Sequence, residues 1–317
     1  MKNAVISGTG SYLPVRQLTN VDLETRLDTT DAWIFSRTGI SSRRIVSEQE
    51  TTSFMASAAA KSALESSGLD ADEIDLILVA TCTPDHFFPS TACHVQQALN
   101  ISRAIPAFDI SAACSGFVYA MDIAKQYIAT GVARHVLVIG SECMSKAVDW
   151  TDRATCVLFG DGAGAVVLSA SDKPGILASV LHAAFDQDKL LTYANDAHLD
   201  KRPVIDMCGN EVFKLAVNIM GDIVDEVLAS SNLQKSDIKW LVPHQANIRI
   251  IKAIAKKLSL PMSQVIVTIE NHGNTSAASI PLALDSSIRE QRIKRGDLLL
   301  LESFGGGMTW GAMVVRY

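Results

Sequence analysis

The chain has 317 residues, with 28 Lys and Arg against 34 Asp and Glu, a formal net charge of −6 at pH 7. Hydrophobic residues make up 48% of it and charged residues 20%, which excludes general disorder, because such a chain can bury enough apolar surface to offset its ordering entropy. The acidic balance argues against a protein that coats nucleic acid, and the length allows about two domains.

In chain order, Met1 to Gly10 breaks into Gly and polar residues before a signal-peptide apolar segment can form. No apolar run approaches the ~18 residues of a membrane helix. These features set the expectation of a cytoplasmic protein with neither membrane nor nucleic acid as partner. Strand-length apolar runs follow at Leu76 to Ala80, Ile105 to Ile110, Val136 to Gly140, Ala165 to Ser169, Val265 to Ile269, Leu298 to Leu301 and Ala312 to Val315. They are mostly uninterrupted rather than alternating, as in strands covered on both faces. An amphipathic helix is predicted over Phe117 to Thr130, with Phe117, Ala120, Met121, Ala124 and Ile128 on one face and Gly131 ending it. The pattern is that of a layered α/β protein.

The two halves also echo each other. Ser62 to Leu69 reads like Glu226 to Leu233, and Ile74 with its following strand like Ile238 with its own, an offset of 238 − 74 = 164. Ser111 to Gly116 corresponds to Asn271 to Ser276, with Cys114 opposite Asn274 at an offset of 274 − 114 = 160. The four-residue difference fits a longer loop around Thr81 to Thr91 in the first half. An internal duplication follows, with halves at 1–172 and 173–317 and no linker between them.

Six cysteines are present, Cys82, Cys93, Cys114, Cys143, Cys156 and Cys208, none in a C-x-x-C pair and none at zinc-module spacing. Cys114 lies where a strand ends, small residues turn the chain and a helix starts. Helix-start N–H groups favour thiolate there, so it reads either as a nucleophile or as an inert thiol in a helix–sheet contact. His244 ends a strand, and alone it is as compatible with a structural histidine. Asn274 lies between a strand and a helix, and alone it reads as a helix cap. The repeat links them: if corresponding strand ends meet at a pseudo-twofold axis, one thiol, one imidazole and one amide converge there.

Other motifs carry less. Gly160-Asp-Gly-Ala-Gly164 precedes a strand rather than a helix, so it reads as a turn between strands, not a dinucleotide loop. Gly305-Gly306-Gly307 is either a flexible turn or a source of a backbone N–H for an oxyanion. Arg249, Lys252, Lys256 and Lys257 mark a basic helix face, the usual reading of which is a solvated surface.

Together the segments around Cys114, His244 and Asn274 resemble β-ketoacyl-acyl-carrier-protein synthase III. So do Trp33 through Ile40, Phe159 through Gly164, and the ending Phe304 through Gly311. The resemblance covers essentially the whole chain, with Met308 where Phe is frequent and Ser115 where Ala is common. It implies a thiolase-like fold of two duplicated halves in five layers, α-β-α-β-α, and a homodimer. It implies a catalytic triad of Cys114, His244 and Asn274, with the N–H groups of Cys114 and Gly306 as oxyanion donors. Asn274 in place of a second histidine favours the chain-initiating branch. The implied reaction joins a short acyl-CoA, such as acetyl-CoA, to malonyl-acyl carrier protein, with coenzyme A thioesters as substrates and no cofactor or metal. Trp33, Arg37, Thr38, Arg153, Phe159, Met207, Gly209, Phe213, Ala246, Asn247 and Phe304 are implied to line the coenzyme A and substrate channel. Phe88 is implied to close the partner subunit's acyl pocket, with Phe87 one residue away. Lys214, Gln245, Ala246, Asn247, Ile248, Arg249, Lys252, Lys256 and Lys257 are implied to dock the acidic carrier protein. Related condensing enzymes of secondary metabolism share the triad, and a silent acyl-carrier or coenzyme A binding protein is the non-enzymatic reading.

Overall fold

The computed structural model describes residues 2–194 and 203–317. The first part of the chain forms β1 (Asn3–Tyr12), β2 (Gln17–Thr19), α1 (Asn20–Glu24), α2 (Asp31–Thr38), β3 (Ser42–Arg44) and α3 (Thr52–Ser67). Then come β4 (Leu76–Ala80), α4 (Thr91–Ala98), β5 (Ala107–Ile110), α5 (Gly116–Ala129), β6 (His135–Cys143) and β7 (Asp161–Ser171). The second part forms β8 (Ile176–Ala183), β9 (Leu191–Tyr193), β10 (Ile205–Met207), α6 (Gly209–Ser231), β11 (Trp240–Pro243), α7 (Ile248–Lys257), α8 (Ile269–His272), α9 (Ser279–Arg289), β12 (Leu298–Gly305) and β13 (Thr309–Arg316).

The main strands form two sheets. One has the order β1-β7-β6-β4-β5 and the other β11-β12-β13-β8. Read from the opposite edge, the second runs β8-β13-β12-β11, and a parallel bridge from Leu241 to Val265 stands where the fifth strand belongs. In the first sheet β1-β7 and β7-β6 are antiparallel and β6-β4 and β4-β5 parallel; in the second β8-β13 and β13-β12 are antiparallel and β12-β11 parallel, so β5 and β11, the strands before Cys114 and His244, each pair in parallel with a neighbour.

Alternate residues of each strand feed different cores, which explains the unbroken apolar runs. In β7, Val166 and Leu168 enter one cluster with Phe117, Met121 and Ile128 of α5, Ile280 and Leu284 of α9, and Leu299, Leu301, Met313 and Val315 of the other sheet. Ala163, Ala165 and Val167 face the opposite way, toward α3 and α4. On the far side, Leu298, Leu300 and Val314 pack against Val224 and Val227 of α6 and Ile251 and Ile254 of α7. The layers are therefore α3/α4, sheet, α5/α9, sheet and α6/α7, a five-layered thiolase-like body. Burying each Leu or Ile side chain contributes about 1.5–3 kcal/mol relative to exposure.

Three sequence expectations change. The Gly-rich start is not a break: Gly8 and Gly10 lie inside β1, and a Cβ on Gly10 would stand 2.3 Å from the Ala59 carbonyl oxygen of α3. Gly162 and Gly164 likewise lie inside β7 rather than in a turn, where α9 crosses closely. The run from Val265 to Ile269 forms only the single bridge, and Ile269 opens α8. The reason is local. The Gln245 side-chain oxygen accepts from the N–H groups of Thr268 at 2.9 Å and Ile269 at 3.2 Å, turning the backbone out of the sheet.

The repeat also shifts in register at the turns that matter. Helix α3 ends on left-handed Gly68 and α6 on left-handed Asn232, an offset of 232 − 68 = 164. The turns before α5 and α9 carry the left-handed residues Ala113 and Ser276, an offset of 276 − 113 = 163. Cys114 therefore stands opposite Ala277, and Asn274 lies three residues earlier in the second turn.

Candidate active site

Cys114 sits in a single 3-10 turn, Ala113–Ser115, wedged between β5 and α5. Ala113 holds φ at 45°, a conformation that costs a non-glycine residue of order 1–3 kcal/mol and persists only when its surroundings enforce it. The surroundings are the β12–β13 hairpin. The Thr309 hydroxyl donates to the Ala112 carbonyl at 2.8 Å, and the Ser115 hydroxyl donates to the Thr309 carbonyl at 2.9 Å. A Cβ on Gly305 would stand 2.6 Å from the Cys114 nitrogen, so only glycine permits this approach. The glycine run is thus pinned to the cysteine turn rather than flexible.

Burial pushes the Cys114 thiol up to about 12, against the opposing pull of the Ser276 hydroxyl. This desolvation and the helix start act in opposite directions on the same thiol. The other cysteines are free thiols, Cys143 and Cys156 buried, Cys82 half-buried, and Cys93 and Cys208 exposed.

His244 follows β11 directly. Its N–H donates to the Glu302 carbonyl at 2.8 Å, and its ring Nδ1 lies 2.7 Å from the Ser279 hydroxyl. That hydroxyl also accepts from the Gln245 N–H at 3.3 Å. With the Ser279 hydroxyl taken as the donor to Nδ1, the ring proton is assigned to Nε2. Burial lowers the imidazole to about 3, so the ring is neutral at pH 7.

The backbone of Asn274 is clamped by two bonds, its N–H donating to Leu158 O at 2.8 Å and its carbonyl accepting from Gly160 N–H at 3.0 Å. Its side-chain oxygen accepts from the Ser276 N–H at 2.9 Å. Cap and functional amide are compatible here: the cap occupies Oδ1 and leaves the NH2 group as a donor.

Cys114, His244 and Asn274 line one cavity of about 1300 Å³. Its walls also include Gly306 and each of the expected channel residues: Trp33, Arg37, Thr38, Arg153, Phe159, Met207, Gly209, Phe213, Ala246, Asn247 and Phe304. At one end the guanidinium carbons of Arg37 and Arg153 lie 4.6 and 4.7 Å from the Trp33 ring centroid. Thr38 contributes little polar reach, because its hydroxyl donates to Ile34 O and accepts from Ile40 N–H. Phe87 rather than Phe88 lines the cavity, although both side chains are exposed.

The basic face is partly as expected. Lys214, Arg249, Lys252, Lys256 and Lys257 are exposed. Lys214 pairs with Glu211 at 3.1 Å and Lys257 with Asp222 at 2.8 Å, while Arg249 lies 5.3 Å over the Phe213 ring. Ala246, Asn247 and Ile248 are half-buried at the start of α7, where the Asn247 side chain caps the Arg249 N–H. Gln245 is a correction. It is buried, and its amide donates to Pro243 O and Ile266 O, so it fastens the fold and cannot meet a carrier protein.

Residues that sequence reasoning missed include Ser276, Ser279 and Glu142. Glu142 is a buried carboxyl on β6 bonded to Thr81, Cys82, Thr83 and Ser276. Ser276 and Ser279 lie in the Asn274 segment, so proximity in sequence was the available signal. For Glu142, inside an apolar strand, the charge itself was the signal. Among the described residues no group of three or more His, Cys, Asp or Glu side chains is placed to hold a metal ion. No helix among them is long and apolar enough to cross a membrane.

The chain also matches known proteins. Residues 108–184 match the family model for 3-oxoacyl-[acyl-carrier-protein (ACP)] synthase III, and residues 228–317 match the model for its C-terminal part. The chain is 56% identical over 323 residues to β-ketoacyl-[acyl-carrier-protein] synthase III of Alkalilimnicola ehrlichii, covering all of both proteins. It is 54% identical over 318 residues to the Coxiella burnetii protein of the same name, again covering both completely. A crystal structure of 3-oxoacyl-[acyl-carrier-protein] synthase III from Aquifex aeolicus superposes with a TM-score of 0.94 at 51% identity, over 99% of this chain and 100% of that one. The chain belongs to the β-ketoacyl-acyl-carrier-protein synthase III family of acyl-transferring condensing enzymes.

Proposed function

We propose that the chain catalyses the decarboxylative condensation of a short acyl-CoA, acetyl-CoA foremost, with malonyl-acyl carrier protein. The products are a β-ketoacyl (acetoacetyl)-acyl carrier protein, coenzyme A and CO2, and the step initiates type II fatty acid synthesis. The observation that carries this reading is the meeting of Cys114, His244 and Asn274 in one cavity with Trp33, Arg37 and Arg153 at its wall.

In this reading the Cys114 sulfur attacks the acyl thioester, coenzyme A leaves and an acyl-enzyme remains. The N–H groups of Cys114 and Gly306 bind the developing oxyanion, each such donor being worth about 2.7–4 kcal/mol. Trp33 stacks on the adenine of coenzyme A, with Arg37 and Arg153 beside the base or at the coenzyme's phosphates. Malonyl-carrier protein then enters and loses CO2. The charge that develops on its thioester oxygen is met by His244 Nε2–H and the Asn274 NH2, two neutral donors, which is why the neutral ring and the capped amide suit the step. The resulting carbanion attacks the acyl group and frees Cys114. The reaction requires no metal or other cofactor.

The basic face of α7, with Arg249, Lys252, Lys256 and Lys257, and with Lys214 of α6, docks the acidic carrier. The protein works in the cytoplasm as a homodimer, with duplicated halves at 1–172 and 173–317. The loop bearing Phe87 and Phe88 closes the partner subunit's acyl pocket. Purified protein incubated with acetyl-CoA and malonyl-acyl carrier protein is expected to release CO2 and yield acetoacetyl-carrier protein. Affinity for both without turnover would replace the enzyme with a silent binding protein.

A further inference from the structure

Glu142 has no part in the mechanism above, yet it is wholly buried and reaches the turn that follows Asn274. Its strand explains the reach. Gly140 lies on β6 where the Ala277 carbonyl crosses, and a Cβ there would stand 2.3 Å from that oxygen. Side chains two apart on a strand share a face, so Glu142 meets the same turn one step further along β6.

The two carboxyl oxygens have separate partners. Oε2 accepts from the Thr81 hydroxyl at 3.1 Å, the Cys82 N–H at 3.1 Å and the Thr83 hydroxyl at 2.6 Å. These three bonds anchor the carboxyl to the segment after β4. Oε1 is thereby turned to the Ser276 hydroxyl, which donates to it at 3.0 Å, and to the Cys82 sulfur at 3.2 Å.

Ser276 needs an anchor. Its φ is 49°, in the left-handed region that a residue other than glycine holds only when its surroundings enforce it. At the equivalent turn of the first half, Ala113 is held through the Thr309 hydroxyl on the Ala112 carbonyl. In the second turn the hydroxyl contact to Glu142 takes that place. The left-handed form matters because the Ser276 N–H donates to Asn274 Oδ1 at 2.9 Å. The direction of that N–H follows the dihedrals of the turn. A turn that relaxes swings it away and frees the Asn274 amide to rotate.

We propose that Glu142 is a positioning residue for Asn274. It holds the Ser276 turn in its left-handed form, so that the amide keeps Oδ1 on the Ser276 N–H and its NH2 group free for the substrate. The proposal rests on Asn274 donating to the thioester oxygen of the malonyl group. Glu142 touches neither substrate nor Cys114 in this role, and it acts on the decarboxylation half of the reaction alone.

Acting through Asn274 gives the test. Ser276→Ala removes the hydroxyl and keeps the N–H, and alanine already occupies the equivalent left-handed position at Ala113. Glu142→Gln keeps an oxygen for the three anchoring donors and sets an amide NH2 against the Ser276 hydroxyl. Decarboxylation of malonyl-carrier protein by preformed acyl-enzyme and coenzyme A release from acetyl-CoA alone are each measured as single turnovers. Both are measured in the two variants, in Asn274→Ala, and in each variant combined with Asn274→Ala. Alone, each variant is expected to decarboxylate about tenfold more slowly, with acylation within about twofold of wild type. In the Asn274→Ala background neither is expected to slow decarboxylation by more than about a further twofold. If Asn274→Ala itself decarboxylates at the wild-type rate, the reading of Asn274 falls and the positioning role with it. If Asn274→Ala is slow and either folded variant matches wild type, the positioning role alone is overturned. A further tenfold slowing on top of Asn274→Ala, or equal slowing of both half-reactions, also overturns it, because a merely structural role has that signature.

Discussion

The ring Nδ1 of His244 and the hydroxyl of Ser279 are 2.7 Å apart, and that contact decides which nitrogen of the imidazole carries the proton. The hydroxyl, which also accepts from Gln245 N–H, is assigned as the donor to Nδ1, leaving Nε2–H as the donor presented to substrate. Ser279→Ala frees the ring to adopt the other tautomer. Malonyl decarboxylation by the acyl-enzyme is expected to fall about tenfold, the scale of one lost hydrogen bond, with acylation unchanged. Because burial holds His244 near 3, wild-type decarboxylation should stay flat from about pH 8 to about pH 5. An inflection near the ordinary histidine value would show that the ring titrates and contradict the neutral-donor role.

Gly305 touches the nucleophile's backbone, leaving no room for a methyl group beside the Cys114 nitrogen. Gly305→Ala is expected to displace the Cys114 N–H and cut acyl-enzyme formation by about 10²–10³, while a thermal melt stays cooperative. Acylation at the wild-type rate would remove the hairpin from the oxyanion arrangement.

Glu302 lies beneath His244 on β12 and is fully buried, with no hydrogen-bond partner for either carboxyl oxygen among the described residues. Burial raises its pKa from 4.5 to about 8. Between those values the native state holds a proton that the unfolded chain has released, so stability falls as pH rises through this window and levels off above it. Urea unfolding at about pH 5, 7 and 9 should show this loss in the wild type and a smaller one in Glu302→Gln. Identical slopes would mean that Glu302 is solvated or paired.

Lys252 and Lys256 are exposed on α7 and stand outside the cavity lining, whereas Arg249 belongs to the lining and can touch coenzyme A. Reversing both lysines to Glu isolates carrier docking from acyl-CoA binding. KM for carrier-bound malonate is expected to rise about tenfold, more at low salt, with acylation by acetyl-CoA unchanged. Equal loss in both half-reactions would remove α7 as the docking face.

The layered α/β character was legible because alternate residues of the strands feed two apolar cores, and β4 matches its run residue for residue. The strand β1 was not, because Gly8 and Gly10, which make room for α3, read as breaks. The segment at Val265 carries a strand's composition, but the buried Gln245 side chain bends it away. That is a tertiary contact no local pattern contains. Cys114, His244 and Asn274 were legible in the family motifs, whereas the repeat places Cys114 opposite Ala277 rather than Asn274. The helix start at Cys114 is visible in sequence, whereas the desolvation that opposes it is not. Glu142 was passed over because its partners Thr81, Cys82, Thr83 and Ser276 gather around it only once β6 meets the Ser276 turn.

The central claim is that Cys114 carries the acyl group. Intact-protein mass after incubation with acetyl-CoA alone is expected to show one acetyl group on the wild-type protein, mapped to the Cys114 peptide, and none on Cys114→Ser. Acetylation that persists in Cys114→Ser, or that maps to Cys82 or another thiol in the wild type, would place the nucleophile elsewhere and contradict the account.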